Sequence, residues 1–148
     1  MTGILIDTNI LVYSFDLAEP QKQNLARELL LKLQLHQQGC LSVQCVGEFF
    51  NVVSHGKLPK ITLLDGATQV EYFLQSFPVF PLTSGVLREA VRAVRSYQIS
   101  YYDAQIWACA HLNQIPIIFS EDFSDGQILE GVRFVNPFAE TFELEKWL

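Results

Sequence analysis

Cysteine is scarce in this sequence, and that narrows the reading at once. Three occur in 148 residues, Cys40, Cys45 and Cys109. An odd number with no CxxC pair excludes a disulfide framework and a zinc ribbon, and fits a reducing, cytoplasmic setting. No apolar run reaches the ~18 residues of a spanning helix, so no membrane association is expected. The first apolar run follows no basic segment and is broken at Asp7, unlike an export signal. There is no internal repeat, linker or low-complexity stretch, so one domain over residues 1–148 is expected. Positive charge is also in short supply: 10 Lys and Arg face 16 Asp and Glu, a formal net charge of −6. A chain so charged binds a polyanion only if its basic residues gather on one face or a cation masks its acids. What is present is core: 49% hydrophobic and 12% aromatic residues, enough to bury roughly two thirds of the unfolded surface.

"GILI", residues 3–6, reads as a strand buried on both faces, followed by Asp7, Thr8 and Asn9, residue types that open helices. A helix is predicted from Pro20 to Gln38, with Gly39 as its stop. "CLSV" is then extended. Ser42 caps a helix in which Val46, Phe49, Phe50 and Val53 recur at helical spacing and Gly56 closes the segment. Residues 62–76 read as helix, "FPVFPL" as extended, and 84–97 as a helix turning Val86, Ala90, Val91 and Val94 inward. "SYYDAQIWACAHL" is a further helix, with Ala104 and Ala108 small enough for close packing. "IPIIF" is a second buried strand, "SEDFSDG" an acidic loop, and "VRFVNPF" a late strand stopped by Pro137. Strands alternating with helices imply an α/β fold with a central parallel sheet covered on both faces.

In open parallel sheets the site lies beyond the carboxyl ends of the strands. Asp7 follows "GILI", and Asp122 and Asp125 follow "IPIIF". Glu48 and Asp103 interrupt helices that are apolar around them. Carboxylates brought within about 5 Å of one another repel by roughly 3 kcal/mol per pair at an effective dielectric near 20. Either some are protonated or a hard divalent cation sits among them. An all-oxygen set without His or Cys favours Mg²⁺ or Mn²⁺ over zinc. Such an ion activates water and holds phosphate oxygens, the chemistry of phosphodiester hydrolysis.

"ILIDTNILV", "SVQCVGEFFNVV", "ISYYDAQIWACA" and "IIFSEDFSDGQILEGVRFVNPF", in that order over nearly the whole chain, resemble the PIN-domain family, and within it the VapC-type toxins. The resemblance implies a PIN-like three-layer α/β/α domain and a metal-dependent ribonuclease, with Asp7, Glu48, Asp103 and Asp122 as its acidic quartet. It makes Asp125 a nearby fifth acid, and Asn9 and Ser120 supports of the first and last acids. It departs locally: Asp125 is followed by Gly126 where many members have Phe. It also implies a small cognate antitoxin and a homodimer.

Each residue has a plainer reading. Asp7 or Thr8 can simply cap a helix, Glu48 can reach solvent from a half-buried face, Asp103 can complement a helix dipole in a first turn, and Asp122 and Asp125 can form turns. His36, His55 and His111 read as surface or helix-end residues, and Cys45 and Cys109 as small core residues. Arg88, Arg92 and Arg95 fall at i, i+4 and i+7, a stripe that is either a solvated face or a phosphate contact for RNA, with Lys57 and Lys60 as possible extensions. Phe138, Phe142 and Trp147 read as packing on the domain or on a partner. Two rival site chemistries fit less well. A phosphoacceptor domain wants a Lys after a late strand, and "IPIIFSED" has none. An aspartyl-nucleophile phosphatase wants a second Asp where Asn9 stands. A PIN-like interaction module without turnover is the remaining alternative.

Overall fold

Strand β1 (Ile4–Ile6) is buried along its whole length and lies in the middle of a six-stranded sheet. The computed structural model describes residues 3–55 and 59–148. After β1 come α1 (Thr8–Tyr13), α2 (Pro20–Leu35), β2 (Gly39–Ser42), α3 (Val43–His55), α4 (Leu63–Ser76), β3 (Val79–Phe80), α5 (Ser84–Tyr97), α6 (Tyr101–Leu112) and β4 (Ile117–Phe119). A hairpin of β5 (Ile128–Leu129) and β6 (Val132–Val135) and a 3₁₀ turn at Leu144–Lys146 complete the fold. Strand order is β3-β2-β1-β4-β6-β5, parallel throughout except for β5, which pairs antiparallel with β6. Helices flank the sheet and give the α/β/α layering expected from the alternation of elements.

The apolar run of β1 is matched by its neighbours, since Leu41 and Ile118 are as buried as Leu5. Burial on both faces explains why these strands carry continuous hydrophobic runs in place of alternation. Packed over them are Leu29 and Leu33 of α2, Phe49 and Val53 of α3, and Ala104, Trp107 and Ala108 of α6. Capping follows the sequence: Thr62, Thr83 and Ser100 each accept a backbone N–H from their helix's first turn, and Ser42 does the same for Cys45.

Three local expectations are corrected. Helix α2 ends at Leu35, not Gln38, with Gln37 taking the left-handed turn at φ 54°. Gly39 is therefore the first residue of β2, and its role is close approach: a Cβ there would sit 3.1 Å from both Leu33 and the Phe77 ring and 3.2 Å from Ile6. On α5 the buried residues are Val86, Ala90 and Ala93, and Val94 packs partly buried against the core, while Val91 is 45% exposed. The short β5 was not anticipated; Glu130 and Gly131, both at positive φ, turn it back onto β6. Gly56 and Lys57 lie outside the described residues.

Phe142 and Trp147 set their ring edges against Phe119, and Phe138 meets Tyr13, so the C-terminal aromatics pack on the domain. His36 caps α2, His55 ends α3, and His111 stands in the last turn of α6, as expected of helix-end histidines. Cys40, Cys45 and Cys109 are buried free thiols.

Candidate active site

Parallel register decides which side chains meet. Ile6 of β1 is paired with Phe119 of β4, so the residues that follow them, Asp7 and Ser120, emerge side by side at the carboxyl end of the sheet. Strand order reverses there, because the chain leaves β1 toward β2 on one side and β4 lies on the other. Such a switch point opens a crevice between diverging loops.

Asp7 is 8% exposed and Ser120 fully buried. Asp7 caps α1, accepting the Thr8 N–H on Oδ1 at 2.7 Å, and accepts the Ser120 hydroxyl on Oδ2 at 2.6 Å. Ser120 Oγ in turn accepts Asn9 Nδ2 at 3.2 Å and the Asp122 N–H at 3.1 Å. One hydroxyl thus joins the loops after β1 and β4. Its single proton goes to Asp7, so Asn9 must present its amide N–H₂ to Ser120, which leaves the Asn9 carbonyl oxygen, Oδ1, buried with no hydrogen-bond partner. A buried acceptor without a donor beside a carboxylate is a position suited to a cation or a water.

Glu48 comes from α3, directly after β2. It is half-buried, and Thr8 Oγ1 donates to its Oε2 at 3.1 Å and Gln44 Nε2 to its Oε1 at 2.9 Å. Asp7 lies in the field of both Glu48 and Asp122. Burial is the largest influence on its carboxyl and pushes the pKa from 3.8 up to about 6; the bonds from Ser120 and Thr8 pull it down, and the two neighbouring charges raise it again. Cys45 Sγ stands 4.0 Å from Asp7 Oδ1, and burial pushes its thiol up to about 12, so it stays neutral against the acid.

Asp103 occupies the first turn of α6, where its N–H is capped by Ser100 Oγ at 3.2 Å. Asp125 accepts the Asn136 N–H at 2.9 Å and lines a separate cleft with Arg133, Phe142 and Trp147. The first turn of α6 and this bond to Asn136 match the plainer readings of Asp103 and Asp125. Among the described residues, no three His, Cys, Asp or Glu side chains converge tightly enough to close around an ion as they stand. The donor chemistry nevertheless fits a hard divalent cation: Asp7 supplies a buried carboxyl on which Glu48 and Asp122 both act, and Asn9 Oδ1 is a neutral oxygen with nothing bound to it.

A family match decides the relationship. Residues 4–124 match the PIN domain family. The chain belongs to the PIN domain family. Solved structures share the PIN fold at low identity. A toxin–antitoxin complex from Klebsiella pneumoniae superposes with a TM-score of 0.67 at 19% identity, over 92% of this chain and 98% of that one. FitAcB from Neisseria gonorrhoeae gives 0.67 at 22%, over 90% and 97%. VapC20 of Mycobacterium tuberculosis, a Sarcin-Ricin loop cleaving toxin, gives 0.64 at 17%, over 88% and 99%. No curated protein matches the chain by sequence.

Sequence reasoning missed two contacts of this candidate site. Thr8 orients Glu48 in addition to opening α1, and Gln44 holds the same carboxylate from one turn earlier, a pairing that its i, i+4 spacing on a helix could have suggested. Glu121, beside Ser120, is not a further site acid. Lys22 at 3.0 Å and the Tyr13 hydroxyl at 2.6 Å neutralise it, and Lys22 also sits over the Tyr13 and Phe138 rings. Lys60 pairs with Asp16 at 3.4 Å and is not part of the arginine stripe.

Proposed function

We propose that this PIN domain is a metal-dependent endoribonuclease. The observation that carries the reading is Asp7: a carboxyl buried at the switch point, held by Ser120 and Thr8, with its pKa raised to about 6 in the field of Glu48 and Asp122. Placing such a group is costly, and cation binding offsets that cost. Asp7 and Asp103 would hold the principal Mg²⁺ or Mn²⁺ ion, with Glu48 and Asp122 completing the quartet and Asp125 assigned to its loop. When bound, that ion supplies Lewis-acid activation of water and neutralises phosphate charge. Glu48, fixed by Thr8 and Gln44, orients the attacking water and takes up its proton. In-line attack at phosphorus then breaks the bond to the 3′-oxygen, which takes a proton from solvent, and leaves a 5′-phosphate and a 3′-hydroxyl. Ser120 and Asn9 keep Asp7 in place through the reaction.

VapC20, which shares the fold, is a Sarcin-Ricin loop cleaving toxin, and the Klebsiella structure is a toxin–antitoxin complex. By that likeness the reading extends to a cytoplasmic, single-domain toxin, homodimeric and held inactive by a small antitoxin. Co-purification from the native host tests the partner.

The deciding measurement is turnover of labelled single-stranded RNA with Mn²⁺. Wild type should cleave, and Asp7→Asn should lose at least about a hundredfold in rate while remaining folded. Cleavage that survives Asp7→Asn or excess EDTA overturns the assignment.

A further inference from the structure

Helix α5 carries Arg88, Arg92 and Arg95 on the side away from its buried Val86, Ala90 and Ala93. With Val91 and Ser96 they form an open patch along one face of the helix with no acidic residue in its lining, on a chain whose net charge is −6. The three arginines are not equivalent. Arg92 is bonded to Glu89 and Glu130, at 3.0 Å to the latter, and its guanidinium lies 5.6 Å over the Trp107 ring. Glu130 also takes the Tyr97 hydroxyl, and Glu89 takes His111 Nδ1 at 2.9 Å, so Arg92 fastens α5 to α6 and to the β5–β6 turn. Two carboxylates neutralise it. Arg88 and Arg95 have no hydrogen bond or ion pair among the described residues and keep their full charge for something outside.

Seven residues separate them, about 10 Å along a helix, which suits two separate phosphates better than one. The line they make has a direction. Arg95 is in the last turn of α5, Gln98 to Ser100 follow, and α6 then opens with Asp103 in its first turn. An exposed guanidinium pair of this kind is suited to a flexible phosphate backbone, since each contact releases a counterion without reading a base.

We propose that Arg88 and Arg95 hold phosphates of the RNA strand flanking the scissile bond, so that the substrate runs along α5 toward Asp103, while Arg92 is a structural fastener that contacts no RNA. The proposal rests on the ribonuclease reading for the direction of the track, but not for the binding itself.

Binding and turnover separate the two. Affinity for a short single-stranded RNA is measured in the Asp7→Asn background with EDTA present, so that the strand stays intact, across a range of salt. Adding Arg88→Gln and Arg95→Gln should lower the slope of log K against log salt by about 1.4, two contacts at roughly 0.7 each for a single strand. In an otherwise wild-type protein the same pair should raise KM for that RNA about tenfold or more while leaving turnover of a dinucleotide unchanged. Arg92→Gln should leave the salt slope unchanged and lower the melting temperature. An unchanged slope in the double variant, an equal loss on the dinucleotide, or a slope change from Arg92→Gln overturns the track. If wild type turns over neither substrate yet the slope still falls, the arginine contacts stand and the catalytic reading fails.

Discussion

Asp7 is held by two donors and opposed by its own burial, and the balance leaves it easy to protonate. A folded-state pKa of about 6 against an ordinary 3.8 means the proton favours the native state. The associated stability is fully present below pH 3.8 and lost as pH rises through 6, so above that the native protein carries a penalty of about 3 kcal/mol. Asp7→Asn imitates the protonated form at every pH. It should therefore raise the melting temperature by several degrees at pH 8 and leave it nearly unchanged at pH 4, as thermal unfolding in the two buffers would show. Ser120→Ala acts in the opposite sense: it removes a donor that pulls the Asp7 carboxyl down, so a carboxyl-carbon NMR titration should find Asp7 above 6. Asp7, Asn9 and Ser120 were legible as neighbours at the carboxyl end of the sheet because each lies within three residues of a recognisable strand end. Glu121 was not, since only the tertiary approach of Lys22 and Tyr13 separates a neutralised acid from a free one.

Elements were legible where pattern and capping agreed. α3 starts at the cap expected of Ser42, and α4, α5 and α6 start where their periodic runs begin, each behind a hydroxyl, Thr62, Thr83 or Ser100, that satisfies a first-turn N–H. The end of α2 misled because Gly39 is a plausible helix stop on local grounds, yet its small size answers to Leu33, Phe77 and Ile6, which no local window contains. The two-residue β5 carries too little pattern to detect at all. The glycines give a paired test. Gly39→Ala would push a methyl to about 3.1 Å from Leu33 and Phe77, where packed neighbours have to shift, and should cost about 1–3 kcal/mol in urea unfolding. Gly47, within α3, has nothing within 4 Å of a new Cβ, so Gly47→Ala should stabilise by roughly 0.5–1 kcal/mol through helix propensity alone. No loss of stability in Gly39→Ala would mean that crowding by Leu33, Phe77 and Ile6 is not what keeps a glycine there.

At the scale of the whole molecule, one topological fact gathers the site. Because β2 and β4 flank β1, the residues after three neighbouring strands open on the same crevice, and two of the chain's 16 acids, Glu48 and Asp122, act there on a third, the buried Asp7. A fold that gives up stability to bury a carboxylate beside two others should regain it when a cation arrives. Binding to the native state stabilises by about 1.4 kcal/mol at ten times the dissociation constant and about 2.7 at a hundred times. Mg²⁺ or Mn²⁺ should thus raise the melting temperature of the wild type. The proton and the cation compete for Asp7, so the rise should be large at pH 8, where the carboxylate is ionised, and small at pH 5, below its pKa of about 6. EDTA should abolish it. In Asp7→Asn the rise should be lost at both pH values, because the oxygen that the cation needs has become an amide. A rise of equal size in Asp7→Asn, or one that does not change between pH 5 and pH 8, would place the cation elsewhere on this acidic surface and remove Asp7 from the metal-binding set.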